Sequence, residues 1–295
     1  MELVRLLRPV HWVKNVFVFA ALVFGRQFFG PLDETVAAVG KVVGVFFCFS
    51  LAASAMYVLN DLMDRQTDSI HPERRNRPIA SGRVSVSSAI AVGVGCGVVA
   101  LGAAAVLSPA AAAIIMAYMA LTSLYSVALK QVVILDCIVI AVGFCLRAMA
   151  GAVVIRVSIS PWLVICTFAL CLFLAFSKRR GEIAQLQESS EAFRRTLGDY
   201  TPELLVHMVD VTSVLAVVSF LMYAMDDQTK ALFGTNNLVY TTPLVLYCIF
   251  RFSALVQNGS YSDPVGLILH DRPFQIGIVL WVMMCIGIVY GIGIG

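Results

Sequence analysis

Long apolar stretches separated by short polar connections recur along the whole chain. Nine of them have the length that a helix needs to cross about 30 Å of hydrocarbon. They lie at about 13–29, 36–59, 86–107, 109–129, 132–155, 161–177, 204–224, 236–256 and 273–293. Only Ser108-Pro109 separates the third stretch from the fourth, and only Lys130-Gln131 separates the fourth from the fifth. Helices joined so closely are antiparallel neighbours, and the pattern therefore predicts an all-α integral membrane protein with nine transmembrane helices.

Composition supports this prediction and excludes several other classes. The 295 residues are 60% hydrophobic and 13% charged, whereas soluble domains have roughly 45–50% apolar and about 25% charged residues. An ordinary soluble enzyme, a disordered tail and a disulfide-rich secreted module are excluded. All 8 cysteines fall in apolar segments without metal-ligand spacing, which is typical of inert core or lipid-facing residues. The basic N-terminal segment lacks a cleavage site before the first apolar stretch, which predicts a retained span.

The positions of the positive charges predict the orientation of the spans. With the N-terminus in the cytosol, 16 of the 21 Lys and Arg residues fall in inside segments and 4 in outside segments. This asymmetry follows the positive-inside rule and indicates a cytosolic N-terminus and an outside C-terminus. We expect residues 1–295 to form a single transmembrane catalytic domain in the cell's cytoplasmic membrane.

Two of the predicted cytosolic connections, at about 60–85 and 178–203, are longer and more charged than most others. Loops of this length in a compact bundle are usually functional or disordered. We expect both loops to cap an active site on the cytosolic face.

Closely spaced oxygen ligands begin the first of these loops: Asn60, Asp61, Asp64 and Asp68. If the second span continues as a helix, Asp61, Asp64 and Asp68 share one face. Carboxylates this close repel one another beside a membrane unless a divalent cation bridges them, and Mg²⁺ binds carboxylates together with substrate phosphates. Four arginines follow in the same loop: Arg74, Arg75, Arg77 and Arg83. A guanidinium group can donate two parallel hydrogen bonds to the oxygens of one phosphate. The loop predicts a Mg²⁺–diphosphate site, with a solvated acidic helix end as the alternative.

The segment NDLMDRQTD at 60–68 resembles the NDxxDxxxD motif of the UbiA superfamily of intramembrane prenyltransferases. The resemblance extends over nearly the whole chain. Four segments in order also resemble the decaprenyl-phosphate phosphoribosyltransferase branch: RPVHWVKN at 8–15, AASAMYVLNDLMDRQTD at 52–68, HPERRNRPIASG at 71–82 and LKQVVILD at 129–136. This branch implies transfer of 5-phosphoribose from phosphoribosyl diphosphate to a polyprenyl phosphate with release of diphosphate, which is glycosyl transfer.

The resemblance also implies roles for individual residues. Asp61, Asp64 and Asp68 are the expected catalytic residues and, with Asn60, the ligands of Mg²⁺. The expected substrate-binding residues are Lys14, Tyr57, Asn60, Arg75, Arg77, Lys130, Asp136, Lys178, Arg179 and Glu182.

The residues by themselves leave simpler interpretations of some of these positions open. Lys14 also fits an interfacial lysine that extends its charge to the headgroups, and Tyr57 fits interfacial packing. An interhelical salt bridge explains Lys130 and Asp136 equally well.

The second charged loop distinguishes between branches of the superfamily. Members that use prenyl diphosphates have a second Asp-rich motif here, whereas this chain has Lys178, Arg179, Arg180 and Glu182 and no Asp before Asp199. A basic cluster favours additional phosphate groups, such as the 5-phosphate of the donor or the phosphate of the acceptor. For Arg180, Arg194 and Arg195, the positive-inside rule is an equally good explanation.

Arg147 lies within the fifth predicted span. Charged residues inside a membrane are costly and face the bundle interior or a wet cavity. We expect a structural ion pair, with Asp210 of the seventh span as the candidate partner.

Two other functions remain as alternatives. The first is a UbiA-type enzyme that moves a prenyl group from a prenyl diphosphate to an aromatic or quinone-precursor acceptor. The second is a transporter, which the concentration of charge at the cytosolic face disfavours because transporter sites lie near the midplane. The expected partners are the two substrates and membrane lipid, without nucleic acid. The sequence leaves open the prenyl chain length, the glycan precursor made in the cell envelope and whether the protein is a monomer or a homo-oligomer.

Overall fold

The computed structural model describes residues 2–25, 31–70, 74–186, 200–258, 266–267 and 270–291. Every regular element in these ranges is a helix, as the sequence predicts. The chain forms two compact units, Met1–Ser158 and Ile159–Gly295. The prediction of one catalytic domain over residues 1–295 stays a prediction.

Seven α-helices form the first unit: α1 (Glu2–Leu7), α2 (Ala20–Phe24), α3 (Leu32–Met63), α4 (Arg65–Ile70), α5 (Val86–Leu107), α6 (Pro109–Val127) and α7 (Leu135–Val154). Three 3-10 helices join them, at Pro9–Phe19, Arg74–Asn76 and Leu129–Gln131. The predicted tight turn between α5 and α6 is present. Ser108 ends α5, and its side chain accepts a hydrogen bond from the Ala111 amide at the start of α6. Pro109 follows at the first helical position, where a missing N–H costs nothing.

The second unit contains α8 (Pro161–Leu186), α9 (Pro202–Met225), α10 (Asp227–Phe233), α11 (Thr242–Gln257) and α12 (Arg272–Tyr290), with a 3-10 helix at Asn237–Thr241. Thr201 caps α9 through the Leu204 amide. Asp271 caps α12 through the Phe274 amide and also accepts two hydrogen bonds from Arg251. The Arg251 hydrogen bonds lower the pKa of the Asp271 carboxyl, so the cap is ionised at neutral pH.

Nine helical segments in the described ranges are long and apolar enough to cross a membrane, which agrees with the nine predicted spans. The largest differences in boundaries lie in three of the segments. The first segment, Glu2–Phe24, begins well before the predicted residue 13 and ends before Arg26, which lies outside the described residues. Helix α3 continues through Asn60 and Asp61, and α8 continues past the predicted start of the second loop at residue 178. The predicted loop starts are therefore wrong, because the charged residues end the same helices that begin in the apolar stretches.

Helix α3 is the central element of the first unit. About 61% of its most apolar 18-residue window is buried, the highest share among the candidate spans of the described chain. Its buried face combines a few large side chains with many small ones, including Val45, Phe49, Ala52 and Ala53. Lipid tails are as apolar as leucine, so helices in a bilayer associate through close packing and not through escape from water.

Gly151 shows how close this packing is between α7 and the first span. A Cβ atom at this position would lie 1.9 Å from the backbone oxygen of Val18. Only glycine therefore allows the two backbones to approach at this point, since a backbone oxygen cannot rotate away as a flexible side chain does.

We expect Gly151→Ala to destabilise the protein by about 3 kcal/mol, because the added methyl forces α7 away from the Pro9–Phe19 segment. The measurement is unfolding of the detergent-solubilised protein. Gly102→Ala in α5 is the matched control, since a Cβ there meets nothing within 4 Å. The control is expected to change stability by no more than about 1 kcal/mol. Equal stability of both variants would show that the helices do not approach as described.

Candidate functional site

Three carboxylates converge where α3 ends and α4 begins. Asp61 lies in the last turn of α3, Asp64 is the residue at which that helix ends, and Asp68 lies in α4. The backbone stays helical across the junction, because the Asp64 amide donates to the Asn60 carbonyl and the Asp68 amide donates to the Asp64 carbonyl. This continuity explains the predicted shared face, since residues three and four apart lie on the same side of a helix.

Cations from three separate segments hold these carboxylates. Arg77 Nη1 donates to Asp61 Oδ1 at 3.1 Å and to Asp68 Oδ2 at 2.6 Å. Arg8 Nη2 donates to the same Asp61 oxygen at 2.5 Å. Asp61 and Asp68 are each only 2% exposed, so these contacts replace the water that ionised carboxylates would otherwise require.

The remaining carboxylate has a separate pair of partners. Lys130 Nζ forms an ion pair with Asp64 Oδ1, and Asn60 Nδ2 donates to Asp64 Oδ2 at 3.0 Å. Three carboxylates thus face three cations, and we call this set the acidic-basic cluster: Arg8, Asp61, Asp64, Asp68, Arg77 and Lys130. Its formal charge is balanced within the first unit.

An apolar anchor positions Arg77. Ile79, two residues later, is 1% exposed and packs with Leu6, Val58 and Val84. Burying such a side chain contributes about 1.5–3 kcal/mol, which attaches the loop to α1 and α3. Gly82 closes the turn at φ 74°, a left-handed conformation that glycine adopts without steric cost.

Arg8 is the member of the cluster that the sequence analysis did not assign to the site. Its backbone is left-handed, at φ 51° and ψ 58°, and it directly precedes the 3-10 helix Pro9–Phe19. Its guanidinium lies 5.2 Å from the centroid of the Tyr57 ring, on which His11 also packs with ring centroids 5.6 Å apart. The feature of the sequence that could have assigned Arg8 to the site is its position as the first residue of the segment RPVHWVKN.

A strained turn brings Lys130 to the cluster. Ile134 has φ 70° between the 3-10 helix Leu129–Gln131 and the start of α7. A β-branched residue in this region is sterically unfavourable, and such strain concentrates at functional sites. Asp136 lies buried in the first turn of α7, directly after this turn.

The other predicted site residues of the first unit lie on the same segments as members of the cluster or on segments next to them. Lys14 is half-buried in the 3-10 helix, and Tyr57 packs beside Arg8 one turn before Asp61. Arg75 is exposed on the loop that carries Arg77.

In the second unit, the basic positions after residue 177 lie on the last turns of α8. Arg179 donates to Glu182 at 2.5 Å, and Lys178 lies 4.0 Å from the same carboxylate. The Arg179 side chain is 5% exposed, whereas that of Lys178 is 40% exposed. Arg179 and Glu182 are therefore partners of each other. The predicted loop residues Arg194, Arg195 and Asp199 lie outside the described residues.

The side chains of the described residues do not by themselves form a complete metal site. Among the described residues, no group of three His, Cys, Asp or Glu side chains is placed to hold a metal ion. Each carboxylate of the acidic-basic cluster is instead held by a cation.

Arg147 corrects the predicted partner in the membrane. Its Nε donates to Asn15 Oδ1 at 2.7 Å, and its Nη2 donates to the Tyr118 hydroxyl at 3.0 Å. Asp210, the partner predicted from the sequence, is exposed on α9 of the second unit. The prediction of an ion pair was wrong because neutral oxygens and aromatic rings surround the guanidinium instead.

Comparisons with known proteins agree on family and fold. The UbiA prenyltransferase family matches residues 15–268. Decaprenyl-phosphate phosphoribosyltransferase from Mycobacterium tuberculosis is 31% identical over 281 residues, 95% of this chain and 91% of that protein. The protein of the same name from Corynebacterium glutamicum is 31% identical over 292 residues, 98% of this chain and 86% of that protein. A UbiA homolog from Archaeoglobus fulgidus, solved bound to GPP and Mg²⁺, shares the fold with a TM-score of 0.72 at 17% identity, covering 98% of this chain and 100% of that one.

We expect Arg8→Met to destabilise the protein by about 2 kcal/mol, because it removes a charged hydrogen bond from a carboxylate that is 2% exposed. Adding Asp61→Asn should recover part of this loss, since the double variant no longer leaves a poorly paired buried charge. Unfolding of the four proteins of this cycle in detergent measures the coupling.

Arg5→Met is the matched control for this cycle. Arg5 pairs with Glu2 on the same short helix, but its side chain is 65% exposed, so its loss should cost less than about 1 kcal/mol. Equal losses from Arg8→Met and Arg5→Met would contradict a buried role for the Arg8–Asp61 pair.

Proposed function

The chain belongs to the UbiA prenyltransferase family, and on that premise we propose that it transfers 5-phosphoribose from phosphoribosyl diphosphate to a polyprenyl phosphate and releases diphosphate. As a member of this family it is an integral membrane enzyme. Two relatives named decaprenyl-phosphate phosphoribosyltransferase align over nearly the whole chain at 31% identity, which supports this branch over others. The reaction makes the protein a glycosyltransferase.

The acidic-basic cluster is the observation that carries the proposal. Phosphoribosyl diphosphate brings several phosphate groups, and guanidinium forks bind such groups with two hydrogen bonds each. Arg77 and Lys130 already lie against the carboxylates that would bind the metal–diphosphate end of the donor. We assign Lys14 and Arg75, which lie on neighbouring segments, to further oxygens of the donor. We assign Tyr57 and Asp136 to contacts with the ribose or to orienting the cations.

The donor set of the cluster fits Mg²⁺ by its chemistry. Asp61, Asp64 and Asp68 offer carboxylate oxygens, and Asn60 is a fourth ligand residue through its amide oxygen. All of these oxygens are hard ligands of the kind that Mg²⁺ prefers. These residues would hold the ion together with oxygens of the diphosphate, which explains why the side chains alone are not spaced as a complete coordination shell. Bound Mg²⁺ would neutralise charge on the diphosphate leaving group.

The acceptor phosphate needs a cationic site more than a general base, because a phosphate monoester is already anionic at pH 7. Its oxygen attacks C1 of the ribose, the bond from C1 to the diphosphate oxygen breaks, and the electron pair leaves with diphosphate. In-line attack inverts the configuration at C1. From the resemblance, we assign Lys178, whose side chain is 40% exposed, to a substrate phosphate. The assignment of Arg179 and Glu182, which pair with each other, to substrate binding rests on the same resemblance.

The cellular setting follows from the charge asymmetry of the sequence. We place the acidic-basic cluster on the cytosolic side of the cytoplasmic membrane, with the N-terminus inside and the C-terminus outside, because most Lys and Arg residues then fall inside. A polyprenyl phosphate carrying phosphoribose is a suitable precursor for cell-envelope glycans such as an arabinan. Decaprenyl phosphate is the acceptor that the names of the relatives suggest.

Prenyl transfer from a prenyl diphosphate to an aromatic or quinone-precursor acceptor is the second candidate. The observation in its favour is the shared fold with a UbiA homolog solved bound to GPP and Mg²⁺. The basic end of α8 speaks against it, because the second carboxylate cluster typical of that branch is replaced by Lys178, Arg179 and Arg180.

We expect the purified protein, supplied with Mg²⁺, radiolabelled phosphoribosyl diphosphate and a polyprenyl phosphate, to form a labelled product that extracts into organic solvent. Excess EDTA should abolish the reaction, since the diphosphate then loses its counter-ion. Prenylation of an aromatic acceptor, without any phosphoribosyl product, would establish the second candidate instead.

Asp64→Asn and Asp68→Asn should each lower the transfer rate by at least about 100-fold, because each removes a charged ligand of the donor complex. The rate is measured with the same extraction assay. Asp33→Asn is the matched control, since Asp33 is an exposed aspartate in the first turn at the opposite end of α3. Wild-type rates in Asp64→Asn and Asp68→Asn would exclude their assigned role.

A further inference from the structure

Arg147 lies deep in α7, 11 residues beyond Asp136, which corresponds to about 16 Å along a helix. The residue is 5% exposed. No described Asp or Glu side chain forms an ion pair with it; its polar partners are Asn15 and Tyr118. A cation without a carboxylate partner inside a membrane is costly and is usually retained for function.

Three aromatic rings surround the Arg147 guanidinium. Its central carbon lies 4.6 Å from the ring centroid of Tyr118, 5.0 Å from that of Phe144 and 5.6 Å from that of Phe49. Such contacts stabilise a cation, and they do so most strongly when it is removed from water. The rings come from α3, α6 and α7, so the guanidinium has one orientation relative to three helices, with its Nε directed at Asn15.

Asn15 belongs to an unusual segment of the first span. Residues Pro9–Phe19 form an 11-residue 3-10 helix, although such helices seldom exceed three or four residues. Side-chain hydrogen bonds attach it to α3: Asn15 Nδ2 donates to Ser50 at 3.0 Å, and Trp12 Nε1 donates to Ser54 at 3.1 Å. The Arg147–Asn15 bond attaches the same segment to α7.

Two cations of the candidate site depend on the placement of this segment. Arg8, at its N-terminal end, forms the ion pair with Asp61. Lys14 directly precedes Asn15, so a rotation or shift at Asn15 moves Lys14 as well. A 3-10 helix has poorer hydrogen-bond geometry than an α-helix and thus needs external contacts to keep its shape.

We propose that Arg147 is a positioning residue: through its hydrogen bond to Asn15 it holds the 3-10 segment in the register that presents Arg8 and Lys14 to the diphosphate donor. This inference rests on the proposed function of the acidic-basic cluster. Arg147 suits the task because a guanidinium binds two neutral oxygens at once and packs flat against aromatic rings. A leucine at this position would cost less free energy to bury in the membrane, but Asn15 Oδ1 would then have no hydrogen-bond donor.

The first test compares Arg147→Met and Asn15→Leu with the wild type in nanodiscs. Both variants remove the bond between α7 and the 3-10 segment. We expect each to raise KM for phosphoribosyl diphosphate at least about tenfold, while kcat falls less than about threefold, because binding is weakened more than the chemical step. Arg147→Lys, which keeps the charge on a single donor nitrogen, should recover part of the affinity.

Two further variants separate positioning from the other roles of Arg147. Tyr118→Phe removes the second hydrogen bond of the guanidinium but leaves the Asn15 bond and the ring, so KM should stay within about threefold of wild type. Asn15→Asp keeps the acceptor oxygen for Arg147 and cancels the positive charge; toward Ser50 it replaces the Nδ2 donor by an oxygen that can accept from the Ser50 hydroxyl. If Arg147 acts through the geometry of its bond to residue 15, the KM of Asn15→Asp also stays within about threefold of wild type. If Arg147 acts by attracting the donor through its positive charge, the KM of Asn15→Asp rises as in Arg147→Met.

Hydrogen exchange followed by mass spectrometry gives a readout that does not require turnover. Exchange over Pro9–Phe19 should quicken in Arg147→Met and Asn15→Leu but not in Tyr118→Phe. The proposal is overturned if Arg147→Met leaves the donor KM unchanged, if it raises the KM of the polyprenyl phosphate alone, or if Asn15→Asp behaves like Arg147→Met. If the wild type transfers prenyl groups instead of phosphoribose, the proposed function fails, and the same comparison is then made with KM for the prenyl diphosphate.

Discussion

The pairing of a buried carboxylate with cations from distant segments is the constraint on which the rest of the first unit depends. Asp61 lies in the last turn of α3, the most buried of the candidate spans in the described chain, and is 2% exposed, so its charge requires partners. Arg8 arrives from the N-terminal segment and Arg77 from the loop after α4. The left-handed backbone at Arg8 and the apolar anchor at Ile79 both serve to bring these guanidinium groups to the end of α3.

If the proposed function holds, the same cluster links stability to substrate binding. Three carboxylates and three cations balance one another, so neither set imposes an uncompensated charge on the folded protein. The proposed donor, a diphosphate with a divalent cation, would supply charges of both signs. Under that proposal the cation would face the carboxylates and the phosphates would face Arg8, Arg77 and Lys130. The ion pairs and the proposed donor contacts would then use the same side chains.

Deeper in the membrane, polar groups follow a different rule. Arg147 is neutralised by no described carboxylate and is instead stabilised by Asn15, Tyr118 and three aromatic rings. Hydrogen bonds to neutral oxygens give direction without the desolvation of a second charge. This arrangement explains how an irregular 3-10 span persists between regular helices, since polar side chains of α3 and α7 attach it at Trp12 and Asn15.

Apolar periodicity determined the helical class and the nine candidate spans of the described residues, and the spacing of Asp61, Asp64 and Asp68 determined that they share one helix face, because the length of a span and the spacing of neighbouring carboxylates are local properties of the chain. Only the tertiary structure decided which cations meet which carboxylates. Arg8 lies 53 residues from Asp61, and Lys130 lies 66 residues from Asp64, separations at which no sequence period operates. The partner of Arg147 was mispredicted for the same reason: the sequence shows that a buried charge must be stabilised, whereas the packing of α3, α6 and α7 decides that aromatic rings and neutral oxygens do so.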